Sequence, residues 1–173
     1  MRLAILAILA LVALQRMIEI AYAERNTRAL LARGAVEVGR NHYVFIVLLH
    51  AAWLASIAVL LPGDATIHWP WLAVFILLQL ARVWVIATLG PYWTTRIITL
   101  DAAPLVRKGP YRFVRHPNYV VVAGEIAALP LAFGEIWVAV VFTVLNAAIL
   151  AWRIREEDKA LAARRARAPA NAG

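Results

Sequence analysis

Two short stretches concentrate side chains that can do chemistry. The first, Gly109-Pro110-Tyr111-Arg112-Phe113-Val114-Arg115-His116-Pro117-Asn118-Tyr119, gathers a turn, two guanidiniums, an imidazole and three aromatic rings. The second, Arg153-Ile154-Arg155-Glu156-Glu157-Asp158, follows two cations with three carboxylates. Aromatic faces attract cations, guanidiniums hold oxyanions, and carboxylates accept from ammonium and hydroxyl donors. Cys is absent, which removes thiol nucleophiles, Cys-bound zinc, iron–sulfur clusters and disulfides together. A plainer reading makes the first stretch a basic anchor on anionic lipid, with Pro117 opening a helix and Tyr119 in the interfacial belt. That accounts for Arg112 and Arg115, but not for the order His116-Pro117-Asn118 or for the acidic run elsewhere.

Such groups must be positioned by a chain of 173 residues that is 64% hydrophobic and 16% charged, with mean hydropathy +0.73. This composition excludes a water-soluble globule and predicts an all-α integral membrane protein. Apolar runs predict five spans, at Leu3–Ala23, Tyr43–Leu61, Trp71–Leu89, Tyr119–Phe133 and Ile136–Trp152, against about 20 residues for a full crossing. The fourth is short and carries Glu125 and Pro130, so it reads as one arm of a tight helical hairpin with the fifth. The first run is also open to reading as a signal peptide ending at Ala21-Tyr22-Ala23. Gln15, Arg16 and Glu19 are expected to snorkel to water at the inner end of that helix.

The net charge of +8 raises the question of nucleic acid, and its distribution answers it. All 18 basic residues except Arg2, Arg16 and Arg82 lie in segments 24–42, 90–118 and the tail from 153. The intervening loops, Pro62–Pro70 and Gly134-Glu135, have none. By the positive-inside rule the N-terminus is outside, the C-terminus is cytoplasmic, and the charge orients helices rather than binding nucleic acid. Because the hairpin returns the chain to the same side, the 109–119 and 153–158 stretches are expected to meet on the cytoplasmic face.

Taken in order, Gly-x-Tyr-x-x-x-Arg-His-Pro-x-Tyr at 109–119, a helical hairpin, and Arg153, Glu157 and Leu161 in the pattern Arg-x-x-x-Glu-x-x-x-Leu resemble the isoprenylcysteine carboxyl methyltransferase family of integral membrane enzymes. The segments Arg25–Arg28, Ala32–Glu37, His42-Tyr43 and Tyr92–Arg96 are similar to a bacterial branch associated with methylation of long-chain alkylpyrones. The resemblance implies S-adenosylmethionine as cofactor in a cytoplasm-facing pocket, contacted by Tyr111, His116, Pro117, Asn118, Tyr119 and Glu157, with backbone from Leu105 and Val106. It implies that Arg153 is the catalytic arginine beside the acceptor, that no metal is used, and that the acceptor is a lipophilic molecule drawn from the bilayer. Candidate acceptor groups are an isoprenylcysteine-type carboxylate and an alkylpyrone or alkylresorcinol hydroxyl. Where the family continues past the Leu with Phe-Gly and paired tyrosines, this chain has an Ala/Arg-rich end.

The chain reads as one membrane domain: N-terminal helices over 1–95, the motif region over 96–161 and a disordered tail over 162–173, in the bacterial inner membrane. Arg153–Arg167 lacks helix breakers and is expected to continue the last span. Glu125, Arg82 and Gln79 are expected to pair across helices or to line the acceptor's path. Arg33, Glu37 and Arg40 read as a solvated helix face, and His42 and His50 as packing residues. Two other classes stay open: a membrane reductase of the sterol-reductase type using NADPH, and a non-catalytic membrane scaffold.

Overall fold

The computed structural model describes residues 1–100 and 106–167. Five helices carry the fold: α1 (Arg2–Leu31), α2 (Arg40–Leu60), α3 (Trp69–Leu89), α4 (Pro117–Ala132) and α5 (Ile136–Arg167). α1, α2, α3 and α5 are each long and apolar enough to cross a membrane. The 16 residues of α4 rise about 24 Å, short of the roughly 30 Å hydrocarbon core. The protein is an all-α membrane protein with a C-terminal helical hairpin.

Its core is a set of helical stripes. Ile5, Leu9 and Val12 of α1 and Leu49, Trp53 and Ile57 of α2 recur at three- and four-residue steps and pack with Phe75 of α3, Ile126 and Leu129 of α4 and Phe142 of α5. Trp53 is buried to 1% and its indole N–H donates to the Ile126 carbonyl at 3.2 Å, so the largest ring in the core also has its polar atom satisfied. The opposite helix faces expose Leu11, Leu14, Val59, Leu77 and Val144, as a surface solvated by lipid does.

Helices in lipid gain little from burying leucine against leucine, so polar contacts matter more to their arrangement. Here Glu19 of α1 and Glu125 of α4 sit between Arg16 of α1 and Arg82 of α3. Arg16 contacts Glu19 at 2.8 Å and Glu125 at 3.0 Å, and Arg82 contacts the same two carboxylates at 2.8 and 3.0 Å. Gln15 donates to Glu19 and Gln79, and Gln79 donates to Glu125. The expected pairing of Glu125, Arg82 and Gln79 is therefore present. Gln15, Arg16 and Glu19 do not snorkel; they close a ring with them, because partners on α3 and α4 lie nearer than water.

At the end where α5 continues as a polar helix, Val36–Val38 (β1) and Ile97–Thr99 (β2) form an antiparallel ribbon pairing Val36 with Thr99 and Val38 with Ile97. Glu37 is thus on a strand and not on a helix face, and it meets Arg96 at 3.4 Å. Arg96 also reaches Glu24 at 3.5 Å and lies 5.2 Å from the Tyr43 ring centroid. The Arg40 and His42 side chains lie outside the described residues, as does the segment 168–173 of the expected tail.

The α4–α5 turn is Gly134-Glu135, tied back by Glu135 N–H to the Pro130 carbonyl at 2.9 Å. Glu135 is buried, and neither carboxylate oxygen has a partner among the described residues. Burial pushes its carboxyl from 4.5 up to about 7. The folded state then binds the extra proton, so this residue's contribution to stability is full below pH 4.5 and is lost as pH rises through about 7. Glu135→Gln should accordingly raise the melting temperature in detergent more at pH 8 than at pH 5. Glu125→Ala, which strips both arginines of a partner, should cost about 3–5 kcal/mol in the same assay.

Candidate active site

α4 begins where the chain must stop being a loop: Pro117 occupies the first turn, where a missing N–H costs nothing and φ is already helical. This places His116 and Tyr119 at the polar end of the hairpin, opposite Arg153 and Glu157, which are one helical turn apart on α5. The Tyr119 hydroxyl donates to the Glu157 carboxylate and accepts from Arg153 Nε at 2.8 Å. Arg153 Nη2 donates to the Thr95 carbonyl at 2.6 Å. A buried guanidinium is thereby held between the segment before β2 and the first turn of α4.

His116 completes the cluster. Its ring stacks on Tyr119 with centroids 5.3 Å apart and planes at 21°. Nδ1 is 3.7 Å from a Glu157 oxygen and Nε2 is 3.3 Å from an Asp158 oxygen, so the imidazole spans two adjacent carboxylates. Asn118 Oδ1 is buried without a hydrogen-bond partner among the described residues.

Tyr111 is in the short 3-10 turn Gly109–Arg112. Burial and the nearby Glu157 charge hold its phenol above the ordinary range, so it stays neutral well into alkaline pH. The turn reaches α3 through Gly109, whose φ is +57° and whose missing Cβ would lie 2.7 Å from Thr88 Oγ1. Thr88 is itself committed to the Trp84 carbonyl at 2.7 Å, so the close approach needs glycine twice over.

Of the residues singled out in the sequence, His116, Tyr119, Arg153 and Glu157 are in direct contact, Tyr111 is near Glu157, and Pro117 and Asn118 form the helix start between them. Val106 is half-buried at the start of the described part of the loop, and Leu105 lies outside the described residues. Asp158 was named only within the acidic run and given no role, and the Thr95 carbonyl was not named. The acidic run at 156–158 was the available signal for Asp158; a backbone acceptor such as Thr95 leaves none.

An all-α membrane protein with a cation, two carboxylates and stacked rings at one end of a helical hairpin is the class so defined. The family model for the isoprenylcysteine carboxyl methyltransferase (ICMT) family matches residues 71–163, from α3 through both halves of the site. The chain belongs to this family, and so to the membrane methyltransferases. Among relatives, the uncharacterized protein YpbQ of Bacillus subtilis is 38% identical over 159 residues, covering 89% of this chain and 94% of that protein. An uncharacterized protein of Haemophilus influenzae is 27% identical over 143 residues, covering 79% of this chain and 83% of its own length. No solved structure matches significantly.

Gly109→Ala should destabilise the protein by about 1–3 kcal/mol in thermal unfolding, combining a left-handed backbone with the Thr88 contact. Gly90→Ala, at φ +53° but with open space around the added methyl, should cost less.

Proposed function

We propose that this chain is an S-adenosylmethionine-dependent O-methyltransferase, binding its cofactor from the cytoplasm and a lipophilic acceptor from the bilayer. The observation that carries the reading is the relay from Arg153 through the Tyr119 hydroxyl to Glu157 in a chain of a methyltransferase family. The donor set fits the cofactor. The rings of Tyr111 and His116 suit a sulfonium, Glu157 suits ammonium and ribose hydroxyl donors, and Pro117 and Asn118 form the helix start that presents Tyr119 to Glu157. Backbone at Val106 would complete the pocket.

Bound S-adenosylmethionine supplies an electrophilic methyl group on a positively charged sulfur. The protein's part is orientation and charge. Arg153, fixed by Thr95 and Tyr119, would hold an acceptor oxyanion oriented toward that methyl group, and no covalent enzyme intermediate is needed. A carboxylate or an acidic enol or phenol needs little help to ionise, so His116 is read as a hydrogen-bonding and stacking group. Acceptors of this kind include an isoprenylcysteine-type carboxylate and an alkylpyrone or alkylresorcinol hydroxyl. The concentration of positive charge in three segments supports a cytoplasmic site and an outside N-terminus, and the bacterial relatives support the inner membrane.

Calorimetry on detergent-solubilised protein tests this: S-adenosylmethionine and its demethylated product should bind, and NADPH should not. Binding of NADPH alone would overturn the reading. Glu157→Ala should weaken cofactor affinity by about tenfold or more, the worth of one charge-assisted hydrogen bond. Arg153→Ala should keep cofactor affinity and lower turnover about 10²-fold.

A further inference from the structure

Arg96 stands one residue past the carbonyl that holds Arg153, and its guanidinium is engaged from three elements. Nη2 lies 3.5 Å from Glu24 of α1, Nη1 lies 3.4 Å from Glu37 of β1, and the group sits 5.2 Å from the centroid of the Tyr43 ring on α2. The Glu37 side chain is only 8% exposed, so water screens that pair less than it would a surface contact. The Tyr43 hydroxyl accepts from Thr95 Oγ1 at 3.3 Å, and Thr94 Oγ1 donates to the Arg96 carbonyl at 2.7 Å. On the other side of Thr95, Asn26 Nδ2 donates to the carbonyls of Trp93 at 2.9 Å and Gly90 at 3.1 Å, and the Tyr22 ring stacks on Trp93 with centroids 6.1 Å apart.

We infer that Arg96 is a positioning residue for Arg153: it locks the segment 93–97 against α1, β1 and α2, so that the Thr95 carbonyl meets Arg153 Nη2 at a fixed place. The catalytic purpose of this lock rests on the methyltransferase reading above. The contacts are continuous with the site, because the Thr95 carbonyl accepts from Nη2 at 2.6 Å while the Tyr119 hydroxyl accepts from Nε at 2.8 Å. Two such points fix the plane of a guanidinium, and a plane set in advance does not have to be ordered when an anion arrives. A backbone carbonyl has no rotamers of its own and points wherever the chain is held, so its aim depends on anchors at Trp93 and Arg96. With two carboxylates against it, Arg96 is suited to anchoring rather than to holding an acceptor anion. Glu24, Asn26, Glu37 and Tyr43 all precede residue 71, where the family match begins, so the part of the chain outside that match supplies the anchors.

The test reads Arg153 itself by heteronuclear NMR of the full chain, carrying isotopically labelled arginine, in detergent micelles. The Nη signals of a tethered guanidinium separate and those of a freely rotating one merge; Arg153→Lys assigns them. In Arg96→Ala, rotation about the Arg153 Nε–Cζ bond should speed up by about tenfold or more, as expected for the loss of one charge-assisted hydrogen bond, with S-adenosylhomocysteine bound as by the parent. Arg96→Lys keeps a cation between Glu24 and Glu37 and should restore the slow rotation. Tyr43→Phe keeps the ring under Arg96, removes only the hydroxyl and should move the rotation the same way; it decides the matter if Arg96→Ala does not fold. Arg153 signals unchanged in Arg96→Ala, or unchanged in Tyr43→Phe where that variant decides, would overturn the assignment, as would failure of Arg96→Lys to restore them. A parent chain that binds no S-adenosylhomocysteine, with the Arg153 response intact, would instead overturn the methyltransferase reading and leave the lock without that purpose.

Discussion

The arrangement of helices turns on two carboxylates shared by two guanidiniums inside an otherwise apolar bundle. Each of Glu19 and Glu125 touches both Arg16 and Arg82, so no charge in the ring depends on a single partner. Its members come from α1, α3 and α4, which hydrophobic packing alone would leave free to slide, since lipid solvates leucine as well as another helix does. Ion pairs have short reach and demand matched heights, so the ring sets the register of α1 and α3 against α4. Everything carried on α4, including the first-turn residues of the site, inherits that register.

From Glu125 the constraint runs along α4 to Tyr119, and from there the site is assembled by sharing rather than by isolated contacts. The Tyr119 hydroxyl serves Arg153 and Glu157 at once, and its ring supports His116. His116 in turn lies against Glu157 and Asp158, so loop, α4 and α5 meet at one tyrosine. The ribbon of β1 and β2 and the Arg96 contacts to Glu24, Glu37 and Tyr43 order the segment that offers the Thr95 carbonyl. A guanidinium fixed from two sides loses less freedom on meeting an anion than one on a mobile stem.

How much of this was legible in the sequence depended on the distance over which each signal acts. The α4–α5 hairpin was readable because only Gly134-Glu135 separates two apolar runs, and a two-residue link forces the antiparallel return that brings 109–119 to 153–158. Helix periodicity identifies which face of α1 is polar but not what that face meets, which is why Gln15, Arg16 and Glu19 read as snorkelling residues. The ribbon was invisible because Val36–Val38 and Ile97–Thr99 are three residues each, too short for an alternating pattern to show. The family resemblance singled out His116, Tyr119, Arg153 and Glu157. Asp158 stood in the acidic run, but its partner His116 is fixed by the angle between loop and helix, which spacing does not encode.

The ring also explains a composition that looks contradictory, since the lipid-facing groove between α1 and α3, which Gln15, Glu19 and Gln79 help to line, is an expensive place for charge. The glutamines resolve it. Gln15 donates to Glu19 and to Gln79, and Gln79 donates to Glu125. The ring is neutral as a set, with two carboxylates against two guanidiniums. A bundle can then keep strong, directional contacts between helices and still present a largely apolar groove on the same side of α1. Replacing the glutamines with leucine would make the lining more apolar and at the same time remove hydrogen bonds from both carboxylates, so the groove's chemistry and the bundle's register are set by the same side chains.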